Sequence, residues 1–218
     1  MVYCSKFWSR DEAEAKLRGN LEGELVTDPR PIKFQTGTRR RHWVKNCVAV
    51  GLSSGFMEPL ESTSIHLIQR SIVRFMQMFP SDGVRQPDID EFNNQMKFEI
   101  ENIRDFIILH YHVTNRTDTP FWRHCRTMEI PESLQHRIDL FKETGRVFKV
   151  PTELFGENSW TQVMLGQGLS PEQYHPIVNM MDEQELRDFL GGIHGSVERL
   201  VSQLPEHQRF IDHYCREA

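Results

Sequence analysis

The chain has 218 residues, 38% of them hydrophobic, which is enough to form a buried core in one large or two small domains. Acidic residues outnumber basic ones by 31 to 26, and the one basic run, Arg39-Arg40-Arg41, is too short to indicate a nucleic-acid surface. No apolar run is as long as a membrane helix, and the first residues carry no signal-peptide pattern. We therefore expect a cytoplasmic protein that binds neither nucleic acid nor membrane.

The four cysteines are scattered without a Cys-x-x-Cys spacing. In a chain of this size that distribution favours reduced thiols, and it gives no indication of a metal site.

The N-terminal part of the chain predicts one helix and a β hairpin. Ser9 precedes Asp11 and Glu12, which is the pattern of a helix N-cap, and the helix should end near residue 19 or 23. Apolar and polar residues alternate over 32–36, and 42–50 ends in the apolar run Cys47-Val48-Ala49-Val50. These two segments predict the paired strands of the hairpin, with the second strand entering the core.

A glycine-containing loop follows the second predicted strand. Residues 51–56 are mostly small, residues 57–60 contain Pro59, and 61–79 has the apolar periodicity of a helix. A strand, a glycine loop and a helix N-terminus together bring main-chain N–H groups close to a ligand. The other interpretation is a tight turn whose glycines serve geometry alone.

The remainder of the chain predicts a helical lobe. Prolines separate segments with helical periodicity at 88–112, 120–127, 131–143, 160–166, 182–202 and 206–216. The expected fold class is therefore α+β and mostly helical. We expect one domain over residues 1–80 and a second over 81–218.

One long phrase of the sequence is specific. Residues 51–63 read Gly-Leu-Ser-Ser-Gly-Phe-Met-Glu-Pro-Leu-Glu-Ser-Thr. This phrase resembles the flavin-dependent halogenases of the tryptophan halogenase family, as do Asp-Thr-Pro-Phe-Trp-Arg at 118–123 and Ser-Trp-Thr-Gln-Val-Met-Leu-Gly-Gln-Gly at 159–168. The resemblance covers nearly the whole chain.

The resemblance implies a fold and a reaction. Residues 1–80 would be the C-terminal part of a glutathione-reductase-like FAD-binding domain, and 81–218 would be a helical substrate lobe. Reduced FAD from a separate flavin reductase would react with oxygen and a halide to chlorinate or brominate an electron-rich arene such as an indole. No metal is implied, and a homodimer stays open.

The resemblance also implies roles for individual residues. Glu61 and Ser62 would be the catalytic pair, with the carboxylate stabilising the cationic ring and helping to remove its proton. Taken alone, Glu61 would be read as an acid that complements a helix dipole. The amides of Thr63 and Ser64 would bind halide. The flavin would contact Gly51, Leu52, Ser53, Ser54, Gly55 and Ile65.

Four aromatic residues are candidates for the substrate pocket: Phe121, Trp122, Phe155 and Trp160. Burial in an ordinary core is the alternative for each of them. Tryptophan-specific members carry a Phe-Trp pair where this chain has Leu154-Phe155. The resemblance therefore favours a simple indole or another electron-rich arene over free tryptophan.

The sequence departs from the family in what it lacks. It has no Gly-x-Gly-x-x-Gly, no Trp-x-Trp-x-Ile-Pro and no lysine in the context of the family's catalytic lysine, and Ser64 stands where many tryptophan-specific members have Gly. The expected partner is thus a missing N-terminal FAD-binding half, without which the chain would be inactive. The alternatives are a non-catalytic helical binding module and a relic scaffold.

Overall fold

The computed structural model describes residues 1–215 and is mostly helical, as the sequence predicts. The chain forms two compact units, Met1–Gln173 and a second that begins at Tyr174. The first unit holds α1 (Arg10–Arg18), α2 (Ser64–Gln77), α3 (Gln86–His112), α4 (Pro120–Thr127), α5 (Glu132–Thr144) and α6 (Glu157–Gly166). The second holds a 3-10 helix (Pro176–Met180), α7 (Glu183–Gln203) and α8 (His207–Tyr214). None of the helices in residues 1–215 is long and apolar enough to span a bilayer.

Side-chain caps set where several helices begin. Ser9 and Glu12 form a capping box at the start of α1, and Asp182 and Glu185 form another at the start of α7. The Thr119 hydroxyl accepts from the Trp122 N–H at the start of α4. Each cap satisfies an N–H group that the first helical turn leaves unpaired. The helices predicted at these caps are therefore confirmed.

The structure does not contain the two strands that were predicted for the hairpin. Residues 32–36 form no strand, and the strand predicted over 42–50 is instead a tight hairpin of β2 (Trp43–Val44) and β3 (Cys47–Val48). Lys45 has φ 54°, so the chain reverses where a single strand was expected. Cys47 is exposed and does not enter the core. A second small sheet pairs β1 (Gly37–Thr38) with β4 (Gly55–Phe56), antiparallel.

Two apolar clusters form the core of the first unit, and α3 contributes to both. One cluster joins Trp43 of β2 to the first half of α3 through Ile89, Phe92, Met96 and Ile100. The other joins the second half of α3 to α5 and α6 through Phe106, Leu109, Leu134, Ile138, Phe141, Trp160 and Met164. Because α3 is held along its length, the residues at its C-terminal end have fixed positions. The domain boundary expected near residue 80 stays a prediction.

A buried ion cluster connects α2 to α3. Glu99 of α3 is 1% exposed and bonds to Arg74 of α2, which is 2% exposed. His66 and Arg70, on the same helix, approach the same carboxylate at 2.9 and 3.5 Å. Three basic side chains of α2 thus surround one carboxylate of α3 and attach α2, which begins shortly after Glu61, to α3. His66 therefore has a partner of its own within the fold.

Candidate active site

The segment between β4 and α2 differs from the helix start that was predicted at Glu61. Pro59–Glu61 is one turn of 3-10 helix, Ser62 follows with φ 53°, and α2 begins only at Ser64. A non-glycine residue in the left-handed region is uncommon and is held there by its surroundings. Glu61 therefore lies on a turn in front of the helix, where it does not serve as a helix-capping acid.

The Glu61 carboxylate is held by His110 of α3. Glu61 Oε1 lies 2.8 Å from His110 Nε2, and the two side chains are 29% and 17% exposed. The other ring nitrogen, Nδ1, is 2.7 Å from the Phe106 carbonyl oxygen, one turn earlier on α3. The Phe106 ring packs edge-to-face against the imidazole, with ring centroids 4.8 Å apart. Glu61 is thus a partly exposed carboxylate on a fixed support.

The other carboxylate of the turn is held by the next residue of α3. The Tyr111 hydroxyl lies close to Glu58, and burial together with the negative charge of Glu58 raises the pKa of Tyr111. Tyr111 is therefore un-ionised. Glu58 Oε2 is buried and has no hydrogen-bond partner in the part of the chain that is described. Two consecutive residues of α3 thus hold both carboxylates of one short turn.

The N-terminus of α2 has unpaired main-chain N–H groups. The helix has no side-chain cap, and within residues 1–215 no acceptor faces the amides of Thr63 or Ser64. Thr63 is 4% exposed, so its amide sits where water is scarce. Unpaired amides at a helix N-terminus form a site that favours an anion.

The loop at residues 51–55 is compact and carries an exposed apolar surface. Gly51 has φ 67° and lies against Ile68 of α2, and a Cβ at Gly55 would come within 2.6 Å of the Gly37 carbonyl oxygen. Ser53 and Ser54 bond back to the carbonyls of Val50 and Gly51. Leu52 and Ile65 are each 79% exposed. The two glycines are thus required by close packing within the fold, and Leu52 and Ile65 form an exposed apolar surface beside them.

The four aromatic candidates fall into two groups. Trp160 is 1% exposed and sits in the core with Phe155, and both contact the Phe106 ring, Phe155 by stacking at 3.9 Å. Phe121 and Trp122 lie on α4, and the centroid of each ring is 6.0 Å from the centroid of the Tyr111 ring. Both groups therefore touch the part of α3 that holds the turn. Whether any of the four contacts a substrate stays a prediction.

The sequence indicates no site role for His110 or Tyr111: His110 and His112 are two apart, which puts them on different faces of a helix and does not favour a metal pair. His110 and Tyr111 are 49 and 53 residues from their partners Glu61 and Glu58, so no local spacing connects them. His112, two residues on, bonds to the Cys125 carbonyl oxygen instead. Among the residues described, no group of three or more His, Cys, Asp or Glu is arranged to hold a metal ion.

Comparison with known proteins identifies the family. Residues 1–183 match the sequence profile of the tryptophan halogenases. The chain belongs to the tryptophan halogenase family. It is 29% identical over 229 residues to tryptophan 7-halogenase RebH of Lentzea aerocolonigenes, an alignment that covers 96% of this chain and 43% of RebH.

Solved halogenase structures share the fold described above. Xcc4156, a flavin-dependent halogenase from Xanthomonas campestris, is 52% identical with a TM-score of 0.95, over 99% of this chain and 44% of that one. BrvH, a flavin-dependent halogenase from Brevundimonas sp. BAL3, is 45% identical with a TM-score of 0.90, over 97% of this chain and 43% of that one. The chain thus spans less than half the length of these relatives.

Proposed function

We propose that this chain provides the arene-facing part of a flavin-dependent halogenase and that Glu61 acts on the substrate. The observation that carries the proposal is the Glu61 carboxylate, which is partly exposed and fixed by His110 two residues before the unpaired amide of Thr63. Membership of the halogenase family supports it. The substrate class is an electron-rich arene, such as an indole.

Each group of the turn has a place in this chemistry. Residues 51–55 and Ile65 would hold FAD, and the cofactor, once reduced by a separate flavin reductase, would use oxygen as the oxidant to convert halide to hypohalous acid. The amides of Thr63 and Ser64 hold the halide anion near that loop. Attack of the arene on the halogen of hypohalous acid forms a C–X bond as the O–X bond breaks, hydroxide leaves, and a positive charge remains on the ring. Glu61 stabilises that charge and accepts the proton as the C–H bond breaks, and Ser62 shapes the backbone beside it.

The partner of the chain is a second segment that carries the rest of the FAD site. The chain spans 43% of RebH and 44% of Xcc4156, and residues 1–80 would complete the FAD-binding domain from its C-terminal side. Several α2 side chains are exposed and apolar, among them Ile65, Ile72 and Met76 at 79, 50 and 64%. They offer a surface on which that segment can pack.

A chimaera tests the proposal. The corresponding 44% of Xcc4156 would be replaced by this chain, and halogenated indole would be measured with a flavin reductase and bromide. We expect product from the chimaera, and a fall of roughly a hundredfold for Glu61→Gln, which keeps the shape but removes the charge. Consumption of reduced flavin and halide should continue.

Glu58→Gln is the matched control, since Glu58 is on the same turn but is turned to Tyr111. It should cost about 1 kcal/mol of stability and leave halogenation within a few-fold. Equal loss of halogenation in the two variants at unchanged folding would refute the assignment of Glu61. A folded chimaera that makes no product would point to a non-catalytic module.

A further inference from the structure

His110 has an oxygen atom close to each of its ring nitrogens. Nδ1 is 2.7 Å from the Phe106 carbonyl oxygen, which can only accept, so Nδ1 carries a proton. Nε2 is 2.8 Å from Glu61 Oε1. When the ring carries a second proton, this contact is an ion pair, and without that proton a nitrogen lone pair would face a carboxylate oxygen. Opposite charges at this distance attract each other and hold the two side chains together.

The surroundings prevent the ring from turning away. The Phe106 ring lies at 88° to the imidazole, and Phe106 itself is buried and packs on Phe155 and Trp160. The other acid of the turn, Glu58, is taken by Tyr111. Within residues 1–215 no lysine or arginine forms an ion pair with Glu61. From α3 and from the turn, the charged group that faces His110 is thus Glu61.

The two oxygens of Glu61 are not equivalent. Oε1 lies 2.8 Å from His110 Nε2, whereas Oε2 meets no donor among the residues described. One oxygen is therefore fixed by the protein, and the other is available to a group that enters the site. Fixing one oxygen sets the direction in which the other points.

We propose that His110 is the positioning residue of Glu61: as an imidazolium, it holds Oε1 so that Oε2 points to the arene and accepts the ring proton. This role in catalysis rests on the function proposed above. The ion pair between His110 and Glu61 can itself be tested without any activity. A failure of the proposed function can therefore be distinguished from a failure of the pairing between His110 and Glu61.

Nuclear magnetic resonance on this chain tests the pair. Long-range nitrogen–proton spectra would be recorded with ¹⁵N-labelled histidine, near neutral pH, at a concentration where the chain sediments as one species. The His110 signals would be identified by their loss in His110→Gln. We expect two protonated ring nitrogens in the wild type and one, Nδ1, in Glu61→Gln. The same protonation in both proteins would overturn the proposal, whatever the chimaera does.

Kinetics of the chimaera test the role. We expect His110→Leu to lower kcat about tenfold with KM within twofold, and His110→Gln, whose amide can still donate to the carboxylate, to recover part of the loss. His112→Leu is the control, because His112 bonds to the Cys125 carbonyl and not to the turn. Equal kcat for His110→Leu and the wild type, or equal losses for Leu and Gln, would contradict a positioning role.

Discussion

Two histidines of the first unit have different surroundings. His110 has a carbonyl oxygen at Nδ1 and a carboxylate oxygen 2.8 Å from Nε2. His42 is 3% exposed, its Nε2 meets the Thr38 hydroxyl at 3.2 Å, and its Nδ1 has no hydrogen-bond partner in the described chain. Burial lowers the pKa of His42 below its usual 6.5. His42 is therefore neutral in the folded protein at neutral pH.

This difference predicts a pH dependence of stability. As the pH falls below 6.5, His42 takes up a proton in the unfolded chain but stays neutral in the folded chain. This proton uptake stabilises the unfolded state relative to the folded state. The contribution of His42 is thus fully present above pH 6.5 and is lost as the pH falls from there through the folded pKa. We expect His42→Gln to flatten this part of the curve, by at most about 1.4 kcal/mol per pH unit.

Urea unfolding at a series of pH values between 7 and 5 provides the measurement. The quantity to compare is the slope of the unfolding free energy against pH, not its size, because Gln at this position also changes packing. His136→Gln, at an exposed position of α5, is the control for the change from histidine to glutamine and should leave the difference between folded and unfolded protonation of His42 in place. Parallel curves for the wild type and His42→Gln would contradict the prediction.

At the scale of elements, the attachment of α2 to α3 depends on Glu99. Its carboxylate is buried among His66, Arg70 and Arg74, and Arg74 is itself buried with its Nε on Gln95. Removing the acid leaves a buried guanidinium without its counter-charge, which is strongly destabilising. Removing both charges leaves an apolar contact between the helices.

We therefore expect Glu99→Leu to lower the unfolding free energy by about 3–5 kcal/mol. Adding Arg74→Met to Glu99→Leu should recover part of that loss, since the buried charge goes with it. Denaturant unfolding of the wild type and the two variants measures the loss of unfolding free energy and its recovery. A double variant less stable than Glu99→Leu would contradict this account of the interface.

An element can be predicted from the sequence when the residues that determine it are close together in the chain. The bounds of α4 follow from Thr119 and Pro120, and the start of α7 follows from Asp182, because a cap acts within a few residues. The strand predictions were wrong because strands of two residues are too short to show an alternating pattern. The chain reversal at Lys45 also has no glycine that would indicate it in the sequence. The turn from Glu58 to Ser64 was located through its motif. Its supports, His110 and Tyr111, come from a helix that is distant in sequence.

At the scale of the whole molecule, the exposed face of α2 is the feature that bears on assembly. Ile72 and Met76 are one turn apart on this helix and are 50 and 64% exposed. Apolar side chains that neighbour one another on a helix form a continuous patch, and such patches associate. In the absence of the segment that we propose to cover them, they are free to associate with other copies of the chain.

We expect the isolated chain to self-associate with rising concentration, and Ile72→Glu with Met76→Lys to reduce that association. Sedimentation velocity at several concentrations measures it. Val26→Lys, at a residue that is 97% exposed outside this face, is the control and should leave association unchanged. Equal association of the wild type and the α2 double variant would show that this face is not what self-associates.

The pairing of Glu58 with Tyr111 and of Glu61 with His110 also has an evolutionary consequence. Each carboxylate depends on one of two adjacent positions of α3, so a substitution at either end of a pair removes the partner of the other. Lineages of the family should therefore change positions 58 and 111 together, whereas positions 61 and 110 should be retained together wherever the chemistry that we propose for Glu61 is retained. In relatives of this 218-residue chain, covariation at the first pair and joint retention at the second would distinguish the structural carboxylate of the turn from the reactive one.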